Sequence, residues 1–268
     1  MHIEKAVIGG TGFYDPGILK DVQELNVQTR YGEVTLQTGT YQGVPLAFLP
    51  RHGKNHKLPP HRINYRANIA ALQEIGVHSI LGTTAVGSLR EEYDAGTLVI
   101  LHQFIDFTKN REQTFYDGSD GVVIHTDFTY PFCPELRKYL GKTMSQKDIT
   151  FVDGGTYICV EGPRYETSAE IRVFSSLGAD VVGMTLVPEA VLAREAGLCY
   201  SSLSLVTNLA AGLSPTNLSH KEVVDVMEEK IGIIRSIFLE TLLKLPAEKE
   251  CLCSVKEEFP LGEQGKDD

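Results

Sequence analysis

The change from a strand pattern to a helix pattern across Gly162-Pro163 is the feature that most restricts how this chain can fold. The apolar run over residues 156–160 favours a β-strand that ends just before this break. After the break, Ile171, Phe174 and Leu177 recur at the spacing of an amphipathic helix. A strand, a turn and a helix in this order are typical of α/β proteins, in which ligands bind at the carboxyl edge of the sheet.

Tyr165 and Glu166 lie in this turn, so we expect both side chains near the carboxyl edge. An aromatic ring can stack on a planar heterocycle, and a carboxylate accepts hydrogen bonds from ring N–H groups. The alternative is that the turn simply begins the helix, with a half-buried tyrosine and a solvated glutamate. This stretch by itself leaves both interpretations open.

The size and charge of the chain limit the classes of protein to which it can belong. Its 268 residues, 42% hydrophobic and 22% charged, suit one large α/β domain without an internal linker. We expect this domain over residues 1–246 and a polar tail over residues 247–268. The net charge of −10 argues against nucleic acids and anionic membranes as partners. With no bilayer-spanning apolar run and no signal-peptide pattern, the sequence predicts a cytoplasmic protein.

Three segments place glycines, hydroxyls or basic groups after apolar strands. The turn at residues 9–12 contains Thr11, the loop at residues 51–57 begins with Arg51 and His52, and the predicted turn at residues 82–88 contains Thr84. Backbone N–H groups, hydroxyls and an arginine fork are the donors that bind phosphate. Each segment alone has a simpler interpretation, a tight turn or a solvated basic loop, but together they favour a phosphate site.

Two other kinds of site fit these segments poorly. The glycines at residues 9–12 do not form a dinucleotide fingerprint, because Phe13-Tyr14-Asp15-Pro16 follows them instead of a helix. His52, His56 and His61 lie on a proline-broken loop with no cysteine or glutamate spaced to complete a zinc site. We therefore predict an anion site here and no metal.

The five cysteines fall in two contexts. Cys133, Cys159 and Cys199 lie in apolar or turn-like surroundings and are predicted to be buried thiols. Cys251 and Cys253 lie in the polar tail, where buried thiols are not expected. A Cys-x-Cys pair can belong to a metal or redox element, but a single pair is a weak signal, and a structural or incidental role is favoured.

Later segments add polar groups at strand ends. Thr185 follows a short strand, Asn208 follows a buried-looking strand, and His220 begins a long helix that Pro246 stops. Residues 104–116 form a long aromatic and charged segment that we interpret as an irregular loop, whose unusual length favours a functional role.

Taken in order, these residues resemble the trimeric purine nucleoside phosphorylase and methylthioadenosine phosphorylase family. The likeness runs from Ile8 to about Leu245, and its specificity comes from the joint order of the matching pieces. The pieces are Gly9-Gly10-Thr11-Gly12, Arg51-His52-Gly53, Asn64-Tyr65-Arg66-Ala67-Asn68-Ile69, Thr83-Thr84-Ala85-Val86-Gly87-Ser88-Leu89-Arg90, Gln113-Thr114-Phe115-Tyr116-Asp117-Gly118, Glu161-Gly162-Pro163-Arg164-Tyr165, and Gly183-Met184-Thr185 with Val187-Pro188-Glu189.

The resemblance implies a mixed, twisted sheet flanked by helices, assembled as a homotrimer or a dimer of trimers. It implies purine salvage by phosphorolysis, with inorganic phosphate as co-substrate and no cofactor. By motif position, the phosphate ligands are Thr11, Arg51, His52, Thr84, Ala85 and Thr185. The base and sugar contacts are Tyr165, Glu166, Met184, Asn208, Ala210 and His220, with catalytic roles for His52, Glu166 and Asn208.

The base site departs from the methylthioadenosine branch. That branch has a Thr-Asp-x-Asp pattern, whereas this chain has Thr207-Asn208-Leu209-Ala210. An asparagine amide can serve both a C6 carbonyl and N7, and Glu166 can accept from N1–H. Together they favour 6-oxopurines such as inosine and guanosine. His220 resembles the histidine that meets the 5′-hydroxyl, where the methylthio enzymes have an apolar residue.

Three alternatives accompany this hypothesis. Much of the chain still resembles the methylthio branch, so an S-methyl-5′-thioinosine or S-methyl-5′-thioadenosine phosphorylase is the runner-up. A purine-binding sensor without catalysis is disfavoured, because it has no need to keep the whole phosphate set. A nucleotide-binding oxidoreductase lacks its dinucleotide fingerprint.

Overall fold

Nine strands of one sheet and five α-helices make up the regular part of the computed structural model, which describes residues 3–10, 18–54, 57–119, 121, 124–214, 218–246 and 250–254. In chain order the elements are β1 (Lys5–Gly9), β2 (Lys20–Thr29), β3 (Gly32–Tyr41), β4 (Val44–Pro50), α1 (Tyr65–Glu74), β5 (Ser79–Ser88), β6 (Leu98–Phe107), α2 (Pro134–Gln146), β7 (Val152–Val160), α3 (Ser168–Ser176), β8 (Val181–Gly183), α4 (Leu186–Glu195), β9 (Cys199–Leu209) and α5 (His220–Lys244). A 3₁₀ turn, Pro60–Arg62, precedes α1.

The sheet is mixed, with the strand order β2-β3-β4-β1-β5-β8-β7-β6-β9. Strands β4, β1 and β5 run parallel, while β2, β3 and β4 form antiparallel hairpins. Strand β9 pairs with β6 and also runs parallel to β5 over residues 199–209, so the strands β5-β8-β7-β6-β9 close into a circuit. The α/β fold with a mixed sheet flanked by helices, predicted from the sequence, is confirmed.

Helices cover the sheet in two layers. Successive side chains of a strand point to opposite faces, and in β1 Ile8 belongs to the core beneath α1 and α4 whereas Val7 belongs to the core beneath α2 and α5. Helix α5 contributes Met227 and Phe238, both fully buried, to the second core. Sheet strands buried on both faces explain the nearly continuous apolar runs in the sequence.

The segment around Gly162-Pro163 folds nearly as predicted. Strand β7 ends at Val160, and α3 begins after Thr167, whose hydroxyl and the Glu170 carboxylate form a reciprocal capping box. Ile171 and Phe174 are buried, but Leu177 is 49% exposed because the helix ends one residue before it. The prediction that Leu177 lies on the apolar face is wrong.

Three other expectations fail for identifiable reasons. Residues 82–88 are not a turn but the second half of β5, where small residues fit because strands and helices cover both faces. Residues 104–107 complete β6, so the irregular loop starts later than predicted. Strand β2 was not expected, because its residues 20–26 are largely exposed and carry no apolar pattern.

The short stretch 250–254 packs against the domain. Cys253 is only 5% exposed and joins the core beneath α2 and α5. Buried thiols were not expected in this part of the chain, so that expectation is wrong. None of the described helices has the length and apolar character needed to cross a membrane.

Candidate active site

A cavity of about 480 Å³ opens at the ends of strands β4, β5, β8 and β9. It collects residues that are far apart in the sequence, including eleven of the twelve predicted site residues. These are Arg51, His52, Thr84, Ala85, Tyr165, Glu166, Met184, Thr185, Asn208, Ala210 and His220. The twelfth, Thr11, lies outside the described residues, although the adjacent Gly10 lines the cavity. The assembly of these groups was predicted; the ligand each one binds stays a prediction.

Strand β5 gives the cavity its length. Near its middle, the carbonyl oxygen of Thr83 accepts a hydrogen bond from Arg51 at 2.7 Å. Four residues further along, Gly87 pairs with Asn208 of β9. Four residues of a strand span ~13 Å, so the cationic end of the cavity and the asparagine end are separated by roughly the length of a small ligand.

At the cationic end, Arg51 is fully buried in an ion pair. Its Nε and Nη2 donate to the two carboxylate oxygens of Glu189, at 2.7 and 2.6 Å, and the hydroxyl of Tyr200 donates to the same carboxylate at 2.6 Å. Burial on its own lowers the pKa of the Arg51 guanidinium, but the pairing with Glu189 outweighs burial and raises that pKa above its ordinary value. Arg51 therefore stays charged.

The orientation of Arg51 differs from the predicted one. The sequence suggested that its bidentate fork would face an anion, but the fork faces Glu189 on α4. With Nη1 bonded to Thr83, two of the five N–H groups of Arg51 lie outside these bonds. Arg51 thus lines the cavity with its guanidinium held rigidly by Glu189 and Thr83.

Two glycines permit this close packing. A Cβ at Gly10 would lie 2.8 Å from Nη1 of Arg51, and a Cβ at Gly82 would overlap the hydroxyl oxygen of Tyr200. Both separations are too short for a side chain. The glycine-rich character of residues 9–12 and 82–88 thus reflects, at these two positions, the room needed by the Arg51–Glu189–Tyr200 network.

Further hydrogen-bonding groups surround Arg51. The Thr84 hydroxyl is 2.8 Å from that of Ser204, so if Ser204 donates, Thr84 can donate into the cavity. Nδ1 of His52 is 2.9 Å from the Leu58 carbonyl oxygen and must be the donor, because a carbonyl only accepts. Thr185 lies at the N-terminal end of α4, and its side chain makes no capping bond. A cation, hydroxyls and a helix N-terminus are together a suitable environment for an oxyanion.

Glu166 also lines the cavity and is 9% exposed, and among the described residues no side chain donates a hydrogen bond to its carboxylate. Burial raises the pKa of this carboxyl above 4.5, and repulsion by Glu170 acts in the same direction, against a smaller lowering by a backbone hydrogen bond and by Arg164. A buried carboxylate without a side-chain donor is poised to accept hydrogen bonds from a ligand.

The amide of Asn208 is fixed by its neighbours. Its Oδ1 accepts from the Thr207 hydroxyl at 2.9 Å, and its Nδ2 donates to the Leu209 carbonyl oxygen at 2.9 Å. These bonds assign the amide orientation and leave the second N–H of Nδ2 for a ligand acceptor. Ala210, 1% exposed, adds only an apolar surface, so no second carboxylate faces the ligand here.

The mouth of the cavity is more open. Tyr165 is 38% exposed, and Met184 is half-buried. His220 is exposed as the first residue of α5, whose N-terminus is capped by the Ser219 hydroxyl accepting from the Glu222 N–H at 3.2 Å. These three residues can contact the part of a ligand that lies between the two ends or nearest to solvent.

Sequence reasoning gave no role to two charged residues that hold the site. Glu189, which orients Arg51, appeared only as part of a family motif. Arg111 lies behind the cavity; it donates to the Glu161 carboxylate at 3.0 Å, to the Tyr65 hydroxyl at 2.9 Å and to the Met184 carbonyl oxygen at 3.2 Å. An arginine in a loop and a glutamate in a helix resemble surface residues until the fold buries them, so composition alone offers no signal.

Among the described residues, the cavity wall holds no group of three or more histidine, cysteine or acidic side chains close enough to share a metal ion. The one such group, four cysteines, lies elsewhere. The described residues of the cavity supply hydrogen-bonding groups, a fixed cation and a buried carboxylate.

Comparison with known proteins gives a consistent result. A family profile described as the phosphorylase superfamily matches residues 4–244, a range that contains every residue lining the cavity. A protein of Dictyoglomus turgidum named probable 6-oxopurine nucleoside phosphorylase is 56% identical over 248 residues, which cover 92% of this chain and 94% of that protein. The 6-oxopurine nucleoside phosphorylase of Pyrococcus furiosus is 48% identical over 254 residues, covering 92% and 95%.

A solved structure supports the fold over the same extent. Methylthioadenosine phosphorylase from Schistosoma mansoni, in complex with adenine, matches with a TM-score of 0.87 at 36% sequence identity. The match covers 92% of this chain and 93% of that one. The likeness in fold thus extends over nearly the whole chain.

Proposed function

The chain belongs to the phosphorylase superfamily, and we propose that its reaction is the phosphorolysis of 6-oxopurine nucleosides. Inorganic phosphate attacks C1′ of inosine or guanosine, and the products are the free purine and ribose 1-phosphate. The protein is then a purine nucleoside phosphorylase, a pentosyltransferase of purine salvage. Relatives named 6-oxopurine nucleoside phosphorylase, at 56% and 48% identity, support this assignment.

The observation that carries the proposal is the pairing of two unlike ends in one cavity. A charged arginine and hydroxyl donors lie at one end, while a buried carboxylate and an asparagine amide line the same cavity. A nucleoside and phosphate have the complementary arrangement, because the anion adds at C1′ while the base projects away from it.

The phosphate end supplies both position and charge. Thr11, Arg51, His52, Thr84, Ala85 and Thr185 are proposed to hold the anion below the sugar. Phosphate is a weak nucleophile toward a neutral nucleoside, so the C1′–N9 bond lengthens first and the sugar acquires oxocarbenium character. A dianion held close to C1′ stabilises that developing positive charge, and fixed donors do so without reorganising.

The base end stabilises the departing purine. We assign the Glu166 carboxylate to N1–H of a 6-oxopurine and the N–H of Asn208 to N7 or the C6 carbonyl. Negative charge builds on the purine as the bond breaks, so a donor at N7 becomes stronger in the transition state than in the ground state. An adenine ring has no N1–H, and its binding would leave the buried carboxylate without a donor.

The ribose lies between these ends. Met184 and Tyr165 are assigned to its faces, and His220 is assigned to the 5′-hydroxyl at the mouth. No cofactor takes part, because phosphate is itself the nucleophile. The assembly is proposed to be a homotrimer or a dimer of trimers, and the location cytoplasmic; sedimentation analysis of the purified protein tests the first of these.

A methylthio nucleoside is the second candidate substrate. It is favoured by the 36% identity to the methylthioadenosine phosphorylase of Schistosoma mansoni. Ala210, however, supplies no carboxylate for a 6-amino group, which leaves S-methyl-5′-thioinosine as the better member of this class. His220 discriminates between methylthio nucleosides and nucleosides with a 5′-hydroxyl. A hydroxyl can accept a hydrogen bond from the imidazole, whereas a methylthio group gains nothing from that donor.

Initial rates of base release test the proposal directly. Inosine, guanosine, adenosine, methylthioinosine and methylthioadenosine are each assayed with and without phosphate. We expect phosphate-dependent release from inosine and guanosine, with adenosine inert. Preference for methylthioinosine would agree with the roles assigned to Glu166 and Asn208 and refute that of His220. Preference for methylthioadenosine would refute the roles assigned to Glu166 and Asn208.

A further inference from the structure

Four cysteines from three separate parts of the chain meet away from the cavity. Cys133 precedes α2, Cys199 begins β9, and Cys251 and Cys253 belong to the stretch 250–254. The four Sγ atoms all lie within 4.8 Å of one another, and those of Cys199 and Cys251 are 3.3 Å apart. We refer to this group as the four-cysteine cluster.

The spacing of the sulfurs fits a tetrahedral metal centre. A Zn²⁺ ion bound by four thiolates has Zn–S distances of ~2.3 Å, which puts the sulfurs ~3.8 Å apart by tetrahedral geometry. The 3.3 Å between the sulfurs of Cys199 and Cys251 and the upper limit of 4.8 Å for all pairs bracket that value. Small side-chain rotations are therefore enough to bring all four sulfurs to one ion.

Backbone hydrogen bonds hold the ligands in place. The Cys133 N–H donates to the Tyr200 carbonyl oxygen at 2.8 Å, and the Cys199 N–H donates to the His78 carbonyl oxygen at 2.9 Å. The C-terminal stretch is fixed by Arg194, whose Nη1 donates to the Leu252 carbonyl oxygen at 3.2 Å. One ligand thus begins β9, one immediately precedes α2, and two come from a segment tied to α4.

The cluster is both protected and reachable. Cys133, Cys199 and Cys253 are 2–5% exposed, whereas Cys251 is half-buried. Cys251 and Cys253 also line a second cavity of about 850 Å³, which contains none of the residues of the candidate active site. An ion can enter from this cavity and then be enclosed by apolar surroundings.

We propose that the four-cysteine cluster is a structural zinc site that fastens the C-terminal stretch to the domain. Thiolates are soft ligands that select zinc over magnesium or calcium. Four protein ligands close the coordination shell, so the ion has no open position and serves folding, not catalysis. Since each thiol gives up its proton on binding, zinc affinity rises with pH.

The first test measures metal in the protein itself. The full chain is purified under reductant and without chelator, and its zinc content is determined by elemental mass spectrometry. We expect about one zinc per chain. Cys251→Ala, at the least buried position of the cluster, should lose most of that zinc, whereas Cys159→Ala, a buried cysteine outside the cluster, should retain it.

A second measurement does not depend on how any variant folds. Metal-free, reduced wild-type protein is titrated with Co²⁺, and the proposal requires a sulfur-to-cobalt charge-transfer band together with the visible bands of a tetrahedral site. A reduced protein that carries no zinc and shows no such bands overturns the proposal. So does a protein purified without reductant in which thiol titration finds the four cysteines paired in disulfides and no metal bound.

Discussion

At the scale of single residues, Glu166 has opposite effects on folding and on ligand binding. Burial raises the pKa of its carboxyl above 4.5, so the charged form is disfavoured in the folded protein. A raised pKa contributes stability below the ordinary value, and that contribution is lost as the pH rises through the folded-state pKa. Yet the charged form is the stronger acceptor for N1–H of a 6-oxopurine, so the site keeps a carboxylate at some cost in stability.

The first prediction concerns Glu166→Gln. We expect kcat/KM for inosine to fall by about 10²-fold or more. The glutamine amide has one acceptor oxygen and one donor group, whereas the glutamate carboxylate has two acceptor oxygens. In the wild type, kcat/KM should decline on the acid side at a pH above the ordinary glutamate value, and the variant should lack this limb. The variant should also unfold at a higher temperature near neutral pH.

The control for this profile is Glu228→Gln, at an exposed position of α5. It should leave the acid limb and the melting temperature unchanged. An acid limb that survives in Glu166→Gln would assign the titration to another group and contradict the prediction.

A second residue-scale prediction concerns the base site. Asn208→Asp combined with Ala210→Asp introduces two carboxylates at positions that line the cavity. An amino group at C6 then finds acceptors, so turnover of adenosine or methylthioadenosine should rise by at least about tenfold while that of inosine falls. Rates for adenosine, methylthioadenosine and inosine, measured in parallel for the variant and the wild type, test this prediction; an unchanged preference would contradict the assigned roles.

At the scale of elements, α4 organises the anion end of the cavity from behind. It begins directly after Thr185, and its Glu189, 1% exposed, holds the fork of Arg51. A helix buried on nearly all sides cannot shift without moving the sheet beneath it. Arg51 therefore owes its position to a helix that is distant from it in sequence.

Glu189→Gln tests this arrangement. Breaking a buried ion pair by removing one partner typically costs about 3–5 kcal/mol, and the released guanidinium should reorient. We expect a fall of this size in the free energy of unfolding, together with a higher KM for phosphate. Tyr200→Phe is the matched control: it removes one hydrogen bond to the same carboxylate but keeps the ion pair, so its loss should be about 1.5–3 kcal/mol. Equal effects of both changes on phosphate KM would contradict the role of the pair.

Elements with clear periodicity could be predicted from the sequence, and context-dependent ones could not. The strand 156–160 and the helix that follows have regular apolar spacing and were found. The predicted strand in place of β5 ended too early, because Gly82 resembles a turn residue in the sequence. In the structure, Gly82 makes room for the Tyr200 hydroxyl, a contact that the sequence does not show. The order of the motifs located eleven site residues, whereas the Arg51–Glu189 pairing depends on a contact 138 residues apart that no local pattern records.

At the scale of the whole molecule, the chain returns to its own core near the C-terminus. The stretch 250–254 packs against Cys133 and Cys199, neither of which lines the candidate active site. Residues that line that site all lie between positions 10 and 223. Changes in the stretch 250–254 can therefore alter stability without altering a residue that lines the candidate active site.

Ending the chain after Pro246 should lower stability without changing the chemistry. The truncation uncovers the surface that Cys253 buries, and we expect the free energy of unfolding to fall by at least about 1 kcal/mol. The kcat for inosine at moderate temperature should stay within a factor of two. Thermal unfolding and initial rates measure the two effects.

A chain ended after Ser254 is the control, because it keeps the packed stretch and removes only residues 255–268. Its melting temperature should equal that of the full chain. If both truncations melt alike, the stretch 250–254 contributes nothing to stability.

The closed circuit of strands has a consequence for how a ligand is received. Strands β5, β8, β7, β6 and β9 are each paired on both sides within that circuit, so the floor of the cavity cannot open by separating two of them. Thr84, Thr185 and Asn208 sit on or beside these strands, and their geometry is preorganised before any ligand arrives. Adjustment to different nucleosides is thereby confined to the rim, at Tyr165 and His220, where ordering a few exposed side chains is the main entropic cost of binding.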